Sequence, residues 1–430
     1  MAEQKLQIRG SGGDGVAAIP PLPLTPVQRR IVGAVIRSGA LTRADIAREL
    51  RLSRSNLSPV ILRLMKDGLL VTAGHDRSHG GRRGNLLSVG DAESAVLAGV
   101  EIDADRVRVV VATLGMRVLA HQFVNVDVTD DPEGTLDLAA TLISESLEPQ
   151  FGPLVAIGVS LAAAIDVTTG AALVAPAMPR WVGFLVGDYL ADCFSTRVFT
   201  DSDLNALAFA EMTVPHRQPL GPAFLVVKAN EGIGCGIVIN NTVFRGSDGS
   251  AGEMGHICVD PDDPTICACG RRGCLEAVVA LPNLIARARE LAQKERSPVL
   301  APILEERGEL SMDLIGSATL EGDPVAVSLM RDMGMRIGFV LAGAISFFNP
   351  SSVVISTGKM LGGDVLLSAI RQGVYERAFP GATRRIQIVE SGLGEDAVAL
   401  GAAVLACEGF LGTAGKVAYS CGSTAAHSRA

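Results

Sequence analysis

The chain has 430 residues, 48 % of them hydrophobic, with 48 glycines and a net charge of −8. That length predicts two or three domains with a sizeable core. No apolar run is long enough to span a membrane, and the opening "MAEQKLQIRGSGGDG" has no apolar signal-peptide region, so a cytoplasmic protein is expected. The acidic total argues against nucleic acid, but the distribution reverses that argument: residues 1–90 carry 14 Lys/Arg against 6 Asp/Glu, and residues 91–430 carry 24 against 40. A basic head on an acidic body is the asymmetry of a DNA-binding module joined to something else.

Residues 1–24 are Gly/Pro-rich and aperiodic, and are expected to be disordered. From Thr25 the pattern changes. Thr25 caps, Pro26 suits the first helical position and Gln28 completes a capping box. Ile31, Val32, Val35 and Ile36 then share one face of a helix ending near Gly39. "LTRADIAREL" repeats the grammar, with Thr42 as cap and Asp45 three residues on, and Leu57, Val60, Ile61 and Leu64 give helical spacing again. Three short helices with a tight turn before the third predict a helix-turn-helix, whose recognition helix opens with Ser53, Arg54, Ser55 and Asn56. Polar side chains at that end are placed to reach base edges. "LLVTAGHDRSHGGRRGNLLSV" reads as strand, basic loop, strand, the wing of a winged helix over residues 25–90, with Arg77, Arg82 and Arg83 directed at phosphates or the minor groove of double-stranded DNA. The competing reading is a basic three-helix domain that binds protein. Pro59 falls inside the third helix and is expected to kink or shorten it.

From residue 95 the pattern is β. "AVLAGVEIDADRVRVVVATLGMRVLAHQFVNV" predicts three strands with turns near Asp105 and Gly115, followed by a helix over 134–147 and the strand "LVAIGVSLA". A second hairpin-rich set, "PAFLVVKANEGIGCGIVINNTVFRG", begins near residue 222. Two similar halves of meander plus helices predict an α/β fold: a two-lobed, actin-like (duplicated ribonuclease H-like) body, with one lobe over 91–220, a second over 221–410, and a ligand cleft between them. The polar tail 411–430 is expected to be disordered.

"HICVDPDDPTICACGRRGCLE" (256–276) contains His256, Cys267, Cys269 and Cys274. A metal site, a redox pair and chance compete. A thioredoxin-type pair needs C-x-x-C, and this is C-x-C-x4-C. Cys267 and Cys269 are too close for an easy disulfide, and Gly270 and Gly273 let the loop fold back. Three thiolates and an imidazole make a Cys3His set, so one structural Zn2+ per chain is expected. The remaining five cysteines are scattered, as core or tail thiols of a reducing compartment are.

The stretch "GSDGSAGEMGHICVD…CACGRRGCLE" resembles the signature of the ROK family of repressors, open reading frames and sugar kinases, and the resemblance covers roughly residues 26–410. Members with an N-terminal winged helix resemble sugar-responsive repressors, and those without one are kinases. The resemblance therefore implies a homo-oligomeric regulator, dimer or tetramer, of an operator, with a sugar or sugar derivative as effector and no enzymatic activity. It implies effector contacts from Asp203 (in "SDLN", 202–205), Glu253, His256 and Glu276, the histidine also serving the zinc. Three kinase loops depart from the pattern. D-x-G-G-T reads "EIDAD" (101–105), G-T-G-x-G reads "NEGIG" (230–234), and the adenosine-side loop reads "STGKM" (356–360). Asp103, Asp105 and Glu231 thus stand where phosphates would lie and are expected to repel a nucleotide. Two amides of the sugar site are replaced, by Ser202 and Ala177, and Trp181 is expected to pack between elements more than to stack on a sugar. The alternatives are an active sugar kinase and a regulator controlled by a protein partner.

Overall fold

The computed structural model describes residues 24–75, 85–213, 219–294, 297–357, 364–412 and 419–421. The head comprises α1 (Pro26–Ser38), β1 (Leu41–Thr42), α2 (Arg43–Glu49), α3 (Arg54–Lys66), β2 (Leu70–His75) and β3 (Asn85–Val89). Both expected capping boxes form, Thr25 with Gln28 and Thr42 with Asp45. Ile31, Val35, Ile46, Leu57, Ile61 and Leu64 interlock as its core. The three strands pair in the order β1-β3-β2. Helix α3 runs unbroken through Pro59, which is exposed. The expected shortening does not occur, because the amide bond that proline removes is the one to Ser55, an exposed residue whose carbonyl water can satisfy.

The first lobe follows with β4 (Val96–Asp103), β5 (Arg106–Thr113), β6 (Val118–Asn125), α4 (Pro132–Ser146), β7 (Leu154–Leu161), β8 (Ala164–Ile165), β9 (Ala172–Val174), α5 (Val186–Phe194), β10 (Arg197–Ser202) and α6 (Asp203–Thr213). The second contains β11 (Phe224–Ala229), β12 (Ile233–Ile239), β13 (Thr242–Val243), α7 (Leu275–Val279), α8 (Leu281–Lys294), α9 (Leu300–Arg307), α10 (Met312–Leu320), α11 (Pro324–Phe348), β14 (Ser352–Ser356), α12 (Asp364–Arg377), α13 (Pro380–Thr383) and β15 (Gln387–Glu390). The chain ends with α14 (Ala397–Leu411) and β16 (Tyr419–Cys421).

The two large sheets repeat one plan. In the first the order is β16-β10-β7-β4-β5-β6, and in the second β13-β12-β11-β14-β15. Each opens with an antiparallel meander whose first strand then pairs in parallel with a later one: β4 with β7, and β11 with β14. This is the duplicated, actin-like fold. Central strand β4 is buried along its whole length, as a strand covered on both faces must be.

Two expectations fail at the C-terminus. Helix α14, placed in the second lobe from sequence, packs on the first sheet, across β4 and β7, and against α6. Within the tail expected to lack order, β16 pairs antiparallel with the edge strand β10. The first result has a steric cause. Gly99 and Gly158 sit side by side on β4 and β7. A Cβ at Gly99 would stand 2.0 Å from the Ala399 carbonyl oxygen, and one at Gly158 would stand 1.8 Å from that of Ala402. Only a sheet lacking side chains at both points can take a helix backbone that close. Gly158→Ala should therefore cost about 1–3 kcal/mol and lower the urea midpoint at unchanged m-value.

Candidate functional site: the cleft between the lobes

Strand β4 ends at Asp103, β10 ends one residue before Asp203, and β11 carries Lys228, so the three meet where the ends of both sheets face each other. Such strand ends are where open α/β sheets bind ligands. Lys228 Nζ donates to Asp103 Oδ2 at 3.0 Å and to Asp203 Oδ2 at 2.6 Å. The ammonium comes from the second lobe and both carboxylates from the first. Lys228 is only 5 % exposed. Burial pulls its pKa down, but the carboxylates of Asp103 and Asp203 outweigh that and hold it above its ordinary value. Asp103 is pushed up by burial and drawn well below the usual carboxylate range by Lys228 and Arg106.

Arg106 makes a second bridge. It lies 2.9 Å from Glu231 across the cleft, 3.3 Å from Asp103 and 3.6 Å from Asp105. The carboxylates expected to repel a nucleotide are thus paired with cations. The three kinase-type loops converge, and the Arg106 guanidinium and the Lys228 ammonium stand among them. Glu101, Asn230, Ser356 and Thr357 line a cavity of about 310 Å3 with Arg106 and Arg108; residues 358–360 lie outside the described residues. Arg108 reaches Glu395 at 3.5 Å and Asp396 at 3.2 Å at the start of α14, and lies over the Phe123 ring.

On the other side of Lys228 is a cavity of about 510 Å3 lined by Asp203, Glu253, His256 and Glu276, and by Ala177, where the resemblance expects an amide. All four expected effector residues reach one space. Asp203 is nonetheless committed, one oxygen to Lys228 and the other to the Leu204 amide at 2.9 Å. Glu276 accepts from the Ile233 amide at 3.0 Å, which ties α7 to the "NEGIG" hairpin. Glu253 has its pKa raised to about 7 by burial, then by the neighbouring charges of Asp203 and Glu276. Trp181 is fully buried in the first lobe, where Nε1 donates to the Val128 carbonyl at 2.7 Å, away from this cavity. A larger cavity of about 830 Å3 between α1, α6 and α14 borders Thr213 and Pro219.

His256, Cys267, Cys269 and Cys274 come together, with ligand atoms all within 4.8 Å of one another. The loop closes by bridges of Cys258 with Cys274 and of Ile266 with Arg272. Gly273 takes φ 69°, and a Cβ there would meet the Asp260 carbonyl oxygen at 2.0 Å. The Cys269 and Cys274 sulfurs are 3.7 Å apart, and His256 Nδ1 is 3.4 Å from the Cys267 sulfur. A tetrahedral site with metal–sulfur bonds of about 2.3 Å sets sulfurs about 3.8 Å apart, so this donor set fits one metal ion and no disulfide. His256 Nε2 faces Glu253 at 3.7 Å, which couples the cluster to the cavity.

In the head, Ser53, Arg54, Ser55 and Asn56 are exposed at the start of α3. The Ser53 hydroxyl caps the helix, accepting from the Asn56 amide at 3.3 Å. Arg77, Arg82 and Arg83 lie outside the described residues. Lys228 and Arg106 were missed from sequence. A lone lysine in "FLVVKA", buried at every position, was the available signal: a charge in such a strand requires a partner.

The chain matches the ROK family over residues 97–408 and the MarR family over residues 22–80. It is 26 % identical to the xylose repressor of Caldicellulosiruptor bescii, covering 86 % of this chain and 92 % of that protein. A solved ROK family transcriptional regulator, a homologue of the E. coli MLC protein, superposes with a TM-score of 0.76 at 23 % identity, covering 91 % of this chain and 98 % of the other. A ROK family glucokinase from Streptomyces griseus, solved with glucose and AMPPNP, gives 0.65 at 27 % identity, covering 72 % of this chain and 99 % of its own. Among the described residues no helix is long and apolar enough to cross a membrane.

Glu101 supplies a pH test. Burial raises its pKa from 4.5 to about 7. The folded chain then holds a proton that the unfolded chain has released, so this group's contribution to stability is complete below pH 4.5 and is lost as pH rises to about 7. Across that window the melting temperature of Glu101→Gln should decline less than that of the parent, measured by circular dichroism.

Proposed function

The chain belongs to the ROK family, and from that premise we propose that it is a DNA-binding transcriptional repressor with a sugar-sensing body that has given up phosphoryl transfer. The observation that carries the second half is Lys228. Phosphoryl transfer is mostly positioning and charge neutralisation around the γ-phosphate, with a carboxylate to take the hydroxyl proton. Here the base-like Asp203 is held at 2.6 Å by a buried ammonium, and Arg106 bridges the two phosphate-loop positions. That carboxylate is already engaged by an ammonium, and a guanidinium stands among the loops that would have to cradle the phosphates. The repressor names of the relatives that match over head and body support the first half.

In this reading residues 25–90 bind DNA as paired heads of a homo-oligomer. Arg54, Ser55 and Asn56 read bases, Ser53 caps their helix, and Arg77, Arg82 and Arg83 contact phosphates. The body over 91–410 binds a sugar or derivative among Asp203, Glu253, His256 and Glu276. A ligand acts only by preferring one arrangement of the lobes. His256, Cys267, Cys269 and Cys274 hold one zinc ion. When bound, zinc supplies a structural cross-link, and His256 and α7 then fix Glu253 and Glu276 at the cavity.

Three outcomes are expected. Operator binding should survive in full only with the head: Arg82→Ala lowers affinity for all sequences and reduces the salt slope by about 1, and Asn56→Ala alters sequence preference. A chain lacking residues 1–90 that binds DNA as well as the full chain would refute the assignment. With ATP–Mg2+ and a sugar panel, no ADP should form above background; sugar-dependent ADP release abolished by Asp203→Asn would establish the kinase alternative. One equivalent of zinc should co-purify, and Cys269→Ser should lose metal and thermal stability together, because metal binding is part of the folding free energy. Metal-free protein with unchanged melting would remove the zinc site.

A further inference from the structure

One thiol beside the Cys/His cluster stands outside it. Cys258 is exposed and does not belong to the donor set of His256, Cys267, Cys269 and Cys274. It is nonetheless the cross-strand neighbour of one donor. Cys258 and Cys274 face each other in an isolated antiparallel bridge. The residues on either side close it: the Leu275 amide donates to the Ile257 carbonyl at 2.9 Å, and the Val259 amide to the Gly273 carbonyl at 2.7 Å. Neither bond joins Cys258 to Cys274, so this is a non-hydrogen-bonded pair. In such pairs the Cα atoms stand about 4.5 Å apart and the side chains approach most closely. A disulfide accepts Cα separations of about 4.4–6.8 Å, so a bridge fits without parting the two segments.

The sulfurs lie toward each other's segments. A Cβ on Gly273 would meet the Cys258 sulfur at 3.1 Å, which places that sulfur against the residue before Cys274. The Cys274 sulfur lies 3.7 Å from the His256 carbonyl oxygen, two residues before Cys258. Cys274 is fully buried, so an oxidant arriving from solvent meets Cys258 first.

We propose that Cys258 and Cys274 are a site of reversible oxidation, which closes as a disulfide when a peroxide reaches Cys258. The Cys258 sulfur takes one oxygen of hydrogen peroxide as a sulfenic acid, and the first water leaves. The Cys274 sulfur then displaces that hydroxyl, the S–S bond forms, and the second water leaves. Two thiols give up two electrons and two protons, and the peroxide receives them. A sulfur in a disulfide is no longer a thiolate ligand, so the same step takes one donor from the Cys3His set. The disulfide stands apart from the sugar and zinc readings; only its effect on the metal rests on the latter. Cys274 is also the residue at which α7 begins, two before Glu276, so the modification falls at the edge of the cleft.

The test treats the full-length protein, as purified, with hydrogen peroxide and then blocks the remaining thiols with N-ethylmaleimide. Fragment-ion mass spectrometry of the digest, which separates Cys258 from Cys267 and Cys269, should find Cys258 linked to Cys274 with the loss of two hydrogens. A chromogenic chelator should detect zinc released in step with that linkage, and dithiothreitol should reverse it. Cys258→Ser should keep its zinc and its melting temperature, while peroxide-driven release slows about ten-fold or more. No linkage between Cys258 and Cys274, or Cys274 joined instead to Cys267 or Cys269, overturns the proposal. A smaller slowing in Cys258→Ser overturns the role of Cys258 as the entry point, and loss of metal from that variant before oxidation would make Cys258 a ligand instead. Protein that purifies without metal refutes the zinc reading alone, and the linkage then decides this proposal by itself.

Discussion

A single buried ammonium organises the body of this protein. Lys228 stands on the central region of the second sheet and is neutralised by two aspartates of the first lobe. Removing the ammonium would leave two carboxylates facing each other in a dry place, which costs several kcal/mol, so the three groups stay together or the cleft must rearrange. Because Asp103 ends β4 and Asp203 begins α6, the contact fixes the spacing of the two sheets where a ligand would enter. It also divides the cleft. Lys228 and Glu231 line both the cavity beside the thiols and the smaller one beside Arg108. The raised Glu101 pKa belongs to the same cluster: burial drives it, and Lys228, Arg106 and Arg108 offset only part.

Much of this was legible in the order of residues, wherever the physics is local. Capping boxes depend on residues three apart, and both formed at Thr25 and Thr42. The meanders announced themselves by β-rich runs and turns, and the His/Cys set by spacing and two glycines. The failures share a cause. The partners of Lys228 lie 125 and 25 residues away, and no local pattern tells a lysine which carboxylates it will meet. Reading Asp103, Asp105 and Glu231 only as repellers of a nucleotide, without the cations that face them, followed from that gap. Helix α14 is similar: its small, apolar sequence says that it is buried but not on which sheet, and the deciding fact is the register that sets Gly99 beside Gly158. Strand β16 depends on an open edge at β10, which appears only once the sheet exists.

The thiol cluster and the cleft meet at two short stretches, 253–256 and 274–276. Glu253, His256, Cys274 and Glu276 lie on a 3-10 turn and the beginning of α7, and Glu276 reaches back to the Ile233 amide. A ligand contacting the two glutamates would therefore touch a region whose shape depends on the Cys/His loop. On the proposed reading, metal content and effector affinity are linked properties of this chain.

The head is not hung on a tether. Residues 90–95 alone separate β3 from β4, and Ile31, Leu57 and Leu87 of the head belong to the same apolar cluster as Leu97, Val404 and Phe410 of the first lobe and α14. Such a joint transmits rotation with little slack. The first lobe also carries Asp103 and Asp203, half of the cleft, so α3 and that half form one lever arm. On the proposed reading, a change in the angle between the lobes would swing the DNA-reading surface with it. In a paired molecule, sensing would then be written as geometry: the distance between two recognition helices, set against the fixed pitch of the double helix.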